Sequence, residues 1–107
     1  MNFTKAEKLA IVCVLVGMMN VDSDVDFREV ALMESLITEF NLSRAEAAQG
    51  RDLNLLVALA TIRDFSQPQK LFVADLLVKM IEADGKLHPL EERFLTVIQS
   101  ACQLLPL

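Results

Sequence analysis

The sequence predicts an all-α domain, and three observations lead to this prediction. Apolar residues make up 53% of the 107 residues, Tyr and Trp are absent, and Gly and Pro number only three each. The alternating β-branched and aromatic runs that are typical of strands are missing, while helix-start signals recur along the chain. Finally, two long segments resemble each other. A chain of this length is expected to form one domain, residues 1–107, with a sizeable buried core.

The internal repeat has an offset of 62 residues. Residues 18–36 read MMNVDSDVDFREVALMESL, and residues 80–98 read MIEADGKLHPLEERFLTVI. Seven positions coincide between them: Met18, Asp22, Val25, Glu29, Leu32, Met33 and Leu36 match Met80, Asp84, Leu87, Glu91, Phe94, Leu95 and Ile98. We therefore expect a compact bundle of about six helices. It would be built from two pseudo-symmetric helix–acidic loop–helix repeats, at about residues 4–50 and 66–105.

Start and stop signals predict the six helices. Ser, Thr or Asp followed three residues later by Glu is a capping box, Pro suits a first turn, and Gly often ends a helix. In chain order, the predicted helices are helix 1 (cap Thr4 with Glu7, to about Asn20), helix 2 (Asp26 with Glu29, to about Phe40), helix 3 (Ser43 with Glu46, to about Gln49, stopped by Gly50), helix 4 (cap Asp52, Leu53 to Ile62), helix 5 (cap Ser66 with Pro68, to about Ala83, ended by Gly85) and helix 6 (near His88, with Pro89 as first residue).

Apolar periodicity predicts which faces of these helices are buried. Helix 1 has no charged residue after Lys8, so we expect burial on all sides, with a homodimer seam as the alternative. Helix 5 resembles it, apart from a polar stripe. The other faces expected in the core are Val30, Met33, Ile37 and Phe40; Leu55, Leu56, Leu59, Ala60 and Ile62; and Leu90, Phe94, Leu95, Ile98, Ala101, Cys102 and Leu105.

The apolar run at 9–19 also resembles the core of a signal peptide. It is shorter than the roughly 20 residues that span a bilayer, and no small-residue cleavage site follows it. It aligns with residues 71–80 of the second repeat. We therefore expect this run to be part of the fold, with no transmembrane segment.

Charge and cysteine content narrow the classes of partner and compartment. The net charge is −5, and the first loop is the most acidic part of the chain. An acidic surface repels phosphate backbones, so nucleic acid is not expected as a partner; cations or a basic protein surface are. Cys13 and Cys102 lie among apolar residues without metal-ligand spacing, so we expect both in the core and a cytoplasmic location.

The first acidic loop invites comparison with a calcium-binding EF-hand. Asp22, Asp24 and Asp26 match its first three ligands, but Phe27 stands where the EF-hand needs Gly, and Met33 stands where it needs a bidentate Glu. An EF-hand is therefore not expected.

Both loops nevertheless share an Asp followed seven residues later by a Glu: Asp22 with Glu29, and Asp84 with Glu91. One explanation is structural, because each Glu can cap a helix and each Asp can bind turn amides. The other is a shared site for Ca²⁺, Mg²⁺ or Mn²⁺, whose preferred ligands are oxygen atoms. In that hypothesis the four carboxylates are the metal ligands, and Asp24 and Asp26 are accessory ligands.

Catalytic chemistry has no support in the sequence. His88 is the only histidine, there is no Gly-rich phosphate loop, and no nucleophile lies in a recognisable motif with a base. We therefore predict no catalytic or cofactor-binding residues and no enzymatic activity.

The segment 83–91, ADGKLHPLE, resembles the characteristic motif of the TerB-like tellurite-resistance family, and 21–29, VDSDVDFRE, resembles its first acidic loop. The resemblance covers nearly the whole chain. It implies an all-helical domain of bacterial tellurite-resistance and stress proteins, with metal binding suspected at positions that correspond to Asp22, Glu29, Asp84 and Glu91. Similar domains are also fused to membrane-anchored DnaJ-like co-chaperones, which implies membrane-associated complexes.

Two functions therefore remain open from the sequence. The first is a non-enzymatic stress-response domain with a weak divalent-cation site at its acidic loops. The second is a protein-interaction module that uses its acidic face, or an apolar helix face, to bind a partner or a second copy of itself.

Overall fold

The structure is a computed structural model that describes residues 2–21, 26–83 and 89–104. These ranges contain six helices and no strand, which confirms the all-α prediction. The helices are α1 (Lys5–Asn20), α2 (Phe27–Glu39), α3 (Arg44–Asp52), α4 (Leu55–Arg63), α5 (Gln67–Ala83) and α6 (Pro89–Cys102). The lengths of α1 and α5, 16 and 17 residues, and of α2 and α6, 13 and 14 residues, agree with the proposed repeat, whose symmetry stays a prediction.

Helix α1 is the centre of the bundle. It contacts each of the other five helices, and all six residues from Ala10 to Leu15 are buried. A helix that is apolar on every side can be stable in water only if its neighbours cover it. The structure therefore agrees with core burial of this segment, since these residues are covered within one chain.

The predicted capping boxes are present wherever both partners are described. In the box before α1, the backbone N–H of Thr4 donates to Oε1 of Glu7 at 2.7 Å. The boxes of Asp26 with Glu29 and of Ser43 with Glu46 have the same reciprocal pattern. Before α5, Ser66 caps the helix as predicted, and it also forms a box with Gln69 that was not predicted. These pairs satisfy N–H groups that would otherwise lack a helical acceptor.

Two boundaries differ from the sequence prediction. Gly50 does not stop helix 3 but lies inside α3, which continues to Asp52. The cap of α4 is not Asp52 but Asn54, whose side-chain oxygen accepts from the N–H of Leu56 at 2.8 Å. Gly50 lies against Val12 of α1, where close helix packing rather than a helix end accounts for a glycine. Since Asp52 is still part of α3, Asn54 is the residue that caps α4.

Four residues expected in the core are exposed, and this is a correction of the apolar faces. The exposed fractions are 38% for Val30, 74% for Leu56 and 47% for Leu90, and Ala60 is also exposed. On α4 the buried side is narrower than predicted, because Ala58, Leu59 and Ile62 alone are buried there. Leu105 lies outside the described residues.

Both cysteines are free thiols in the core, as expected. The Cys13 Sγ donates to the carbonyl oxygen of Leu53 at 3.3 Å, and the Cys102 Sγ donates to that of Leu59 at 3.5 Å. These thiols bind backbone carbonyls around the start of α4 and within it, so their role in the described fold is structural.

Among the described residues, the helices are too short or too polar to cross a membrane.

Candidate cation site at the acidic loops

Of the six predicted metal ligands, the structure describes three. Asp26, Glu29 and Glu91 lie in the described ranges, whereas Asp22, Asp24 and Asp84 lie outside them. Glu29 is the third residue of α2, and Glu91 is the third residue of α6. The two acidic loops are therefore each followed by a glutamate in the first turn of a helix.

Glu29 is buried and caps its own helix. Its side chain is 2% exposed, and its Oε1 accepts the backbone N–H of Asp26 at 3.0 Å. This is the structural role that the sequence predicts for a Glu at this position. The carboxylate also suits the positive end of the helix dipole.

Glu91 occupies the corresponding place on α6 and is only 1% exposed. A buried carboxylate is uncommon in proteins, because transfer of a charge out of water is costly unless partners compensate it. Two such glutamates at matching positions are a feature that the sequence did not predict, since its pattern gave their places but not their burial. They are the strongest structural feature of the candidate site.

Asp26 is engaged differently. Its Oδ1 accepts the backbone N–H of Arg28 at 2.7 Å and the Arg28 Nε at 3.1 Å, and its Oδ2 accepts from Nη2 at 3.1 Å. The hydrogen bonds from the Arg28 side chain and backbone lower the pKa of the Asp26 carboxyl. As an accessory metal ligand, Asp26 would have to give up part of this arrangement.

In the ranges 2–21, 26–83 and 89–104, no three His, Cys, Asp or Glu side chains lie close enough together to hold a metal ion. The hypothetical four-carboxylate site includes Asp22 and Asp84, which lie outside those ranges. The shared cation site therefore stays a prediction, and the structure adds the burial of its two glutamates.

The sequence does not predict a second feature, a groove between three helices. A cavity of about 660 Å³ lies between α1, α2 and α3, and its walls carry apolar side chains together with Glu34, Arg44 and Arg51. This groove is formed by three separate helices, so no single periodic pattern reveals it. The usable signal is the spacing on α3, where Arg44 and Arg51 lie seven residues apart and therefore on one face.

Comparison with known proteins identifies a family. The model of the family described as "Tellurite resistance protein TerB" matches residues 8–107, which is nearly the whole chain. No match was found among curated proteins or among solved structures.

Proposed function

The chain belongs to the TerB tellurite-resistance family, and from this premise we propose that it is a non-enzymatic bacterial stress-response domain with a weak divalent-cation site at its two acidic loops. A reducing cytoplasm suits this proposal, because Cys13 and Cys102 are free thiols.

The burial of Glu29 and Glu91 carries the proposal. Each lies in the first turn after an acidic loop and is almost completely shielded from water. The loop that precedes each glutamate carries further carboxylates in its sequence, Asp22, Asp24 and Asp26 before Glu29 and Asp84 before Glu91. Negative charge is therefore concentrated in segments that end on a carboxylate that water solvates poorly. A bound divalent cation would offset this charge, and carboxylate oxygens are the ligands that Ca²⁺, Mg²⁺ and Mn²⁺ prefer.

Helix capping is the competing explanation, and Glu29→Gln separates the two. Glutamine keeps an oxygen that can accept the Asp26 N–H, but it removes the negative charge that a cation requires. Glu7→Gln is the matched control, because Glu7 occupies the same place in the Thr4 capping box and lies far along the sequence from both loops.

The test is a thermal-shift titration with Ca²⁺, Mg²⁺, Mn²⁺ and Zn²⁺. A ligand that binds only the folded state raises the unfolding midpoint. We expect a hard cation to raise it for wild type and for Glu7→Gln, and to have little effect on Glu29→Gln or on Asp22→Ala/Asp84→Ala. The absence of a shift at millimolar metal, or an equal shift in all four proteins, would exclude the cation site and leave capping as the whole explanation.

The second function, a protein-interaction module, is favoured by the groove between α1, α2 and α3. Its apolar walls and charged rim are typical of surfaces that bind another protein.

A further inference from the structure

Three helices line the groove, and each contributes residues that lie on one of its faces. Helix α1 contributes Val16 and Met19, and α2 contributes Val30 and Ile37. Val30 is 38% exposed, and the other three are half-buried. Side chains three, four or seven residues apart share one face of a helix, so each of these helices presents a short apolar stripe to the groove.

Helix α3 forms the third wall and differs from the other two. Between Arg44 and Arg51 it presents the small residues Ala47 and Ala48 to the groove. Small side chains leave room for another backbone to approach closely. The side chains of this wall are therefore short in its middle and basic at both ends.

The two arginines limit what the groove can bind. Seven residues of α-helix span roughly 10 Å, so the two Cα atoms are about two turns apart. Both side chains are exposed. The Nε atom of Arg51 lies 3.7 Å from Oδ1 of Asp52, which is also exposed, and this solvent-screened ion pair contributes little. On the α2 side, the cavity is lined by Glu34. Among the residues that line the groove, the charged ones are Arg44, Arg51 and Glu34, so the lining is net basic in a protein of net charge −5.

We propose that the groove binds an amphipathic helix of a partner protein, with two acidic residues seven positions apart that pair with Arg44 and Arg51. Its apolar face would cover the stripes on α1 and α2, as in other complexes in which a helix lies in a hydrophobic groove. A ligand with one anionic head group, such as a fatty acid, would pair with one arginine only. Two basic positions spaced by two helical turns match the repeat of another helix.

This site is separate from the candidate cation site. None of Asp26, Glu29 and Glu91 lines the groove, so the two proposals can fail independently.

The experiment uses the full chain and designed helical peptides of about 18 residues, or five turns, labelled with fluorescein. The acidic peptide has leucines at helical spacing on one face and two glutamates seven positions apart on its flank. A second peptide has lysines in place of those glutamates, and a third has the acidic composition in scrambled order. We expect fluorescence anisotropy to show binding of the acidic peptide at least tenfold tighter than that of either of the others.

Charge reversal then tests whether Arg44 and Arg51 pair with the two glutamates of the peptide. Arg44→Glu/Arg51→Glu should weaken the acidic peptide at least tenfold and make the lysine peptide the tighter ligand. Arg63→Glu/Arg93→Glu changes the net charge equally at two exposed arginines outside the groove, so it should leave the preference unchanged. Val30→Asp should also abolish binding, whereas Val97→Asp, at a 54% exposed site on α6, should not.

Three results would overturn the proposal. The first is no binding of the acidic peptide at concentrations up to about 100 µM, well above the micromolar range of many specific complexes. The second is an equal loss of affinity in the two arginine pairs, because that would be a net-charge effect. The third is dodecanoate binding that needs Arg44 and Arg51 while the peptide fails to bind, because the groove would then be a site for a small amphiphile.

Discussion

Gly50 of α3 lies directly against Val12 of α1. A Cβ atom on Gly50 would lie 3.0 Å from Cγ1 of Val12 and 3.3 Å from the carbonyl oxygen of Leu9. Contacts this short leave no room for a side chain without movement of one of the two helices. Glycine at this position therefore allows α3 to pack closely on the central helix.

Gly50→Ala is expected to destabilise the protein despite a better helix propensity. Alanine gains about 1 kcal/mol over glycine in a helix, but overpacking of a core costs about 1–3 kcal/mol. Val12 is 1% exposed, and the Leu9 carbonyl belongs to the backbone of α1, so neither group can easily move away from an added methyl group. We expect a net loss on the order of 1 kcal/mol, measured by urea denaturation.

Two controls identify the contact as the cause. Gln49→Ala, at the exposed neighbouring position of α3, should change the free energy of unfolding by less than about 0.5 kcal/mol. In a Val12→Ala background, Gly50→Ala should cost less, because the nearest atom, Cγ1 of Val12, is gone, although Cβ at 3.1 Å and the Leu9 carbonyl oxygen at 3.3 Å remain. An unchanged cost in that background would show that the contact with Cγ1 of Val12 is not responsible.

The role of Gly50 cannot be predicted from the sequence alone. Glycine is the commonest residue just beyond a helix, so a sequence pattern places it there. Its true role depends on a residue of another helix, almost forty positions away. Capping boxes, by contrast, involve residues three apart, and the three that the sequence predicts are all present.

The same distinction applies to the candidate site. The repeat identified Glu29 and Glu91 as equivalent positions, but their burial follows from the packing of whole helices. The groove between α1, α2 and α3 was not predicted, because the apolar pattern of α2 alone predicts that Val30 is a core residue. Tertiary contacts decide which apolar side chains remain accessible.

The second prediction concerns the capping role of Glu29 in metal-free buffer. Glu29→Ala removes the acceptor of the Asp26 N–H and leaves a cavity in place of a buried side chain. We expect a loss of about 1–3 kcal/mol in the free energy of unfolding. Glu7→Ala, in the more exposed box before α1, should cost about 0.5–1 kcal/mol. Equal losses in the two variants would mean that burial adds nothing to the role of Glu29.

The third prediction concerns acid stability through Glu46. A 2.8 Å ion pair with Lys5 and a 2.9 Å hydrogen bond from the Ser43 N–H lower the pKa of Glu46 from 4.5 to about 2. Because the folded-state pKa is depressed, this contribution to stability is present above pH 4.5 and is lost as the pH falls towards 2.

Lys5→Met removes the first of these two causes. We expect NMR titration to show the pKa of Glu46 moving upwards, towards its ordinary value, and the acid unfolding curve to lose part of its dependence between pH 4.5 and 2. Lys79→Met is the control, because it breaks a comparable exposed pair with Asp75 at 3.0 Å. If the pKa of Glu46 moves equally in both variants, the pairing with Lys5 is not its cause.

The last prediction concerns the two thiols. Burial raises the pKa of both, and that of Cys102 rises from 9.0 to about 11. Thiols react as thiolates, so at pH 8 the folded protein should be alkylated very slowly by iodoacetamide, with Cys13, at 6% exposure, reacting before Cys102, at 0%.

The same shift fixes the sign of the pH dependence. A raised folded-state pKa keeps the Cys102 thiol neutral in the folded chain while the unfolded chain ionises, so its contribution to stability is complete below pH 9 and is lost as the pH rises towards 11. Cys102→Ala should remove this part of the alkaline dependence, whereas Cys13→Ala should remove less. Mass spectrometry of the alkylated protein and urea curves at pH 8 and 10 measure the two effects. Fast alkylation of native Cys102 would show that its helix opens readily, because a closed core excludes both reagent and charge.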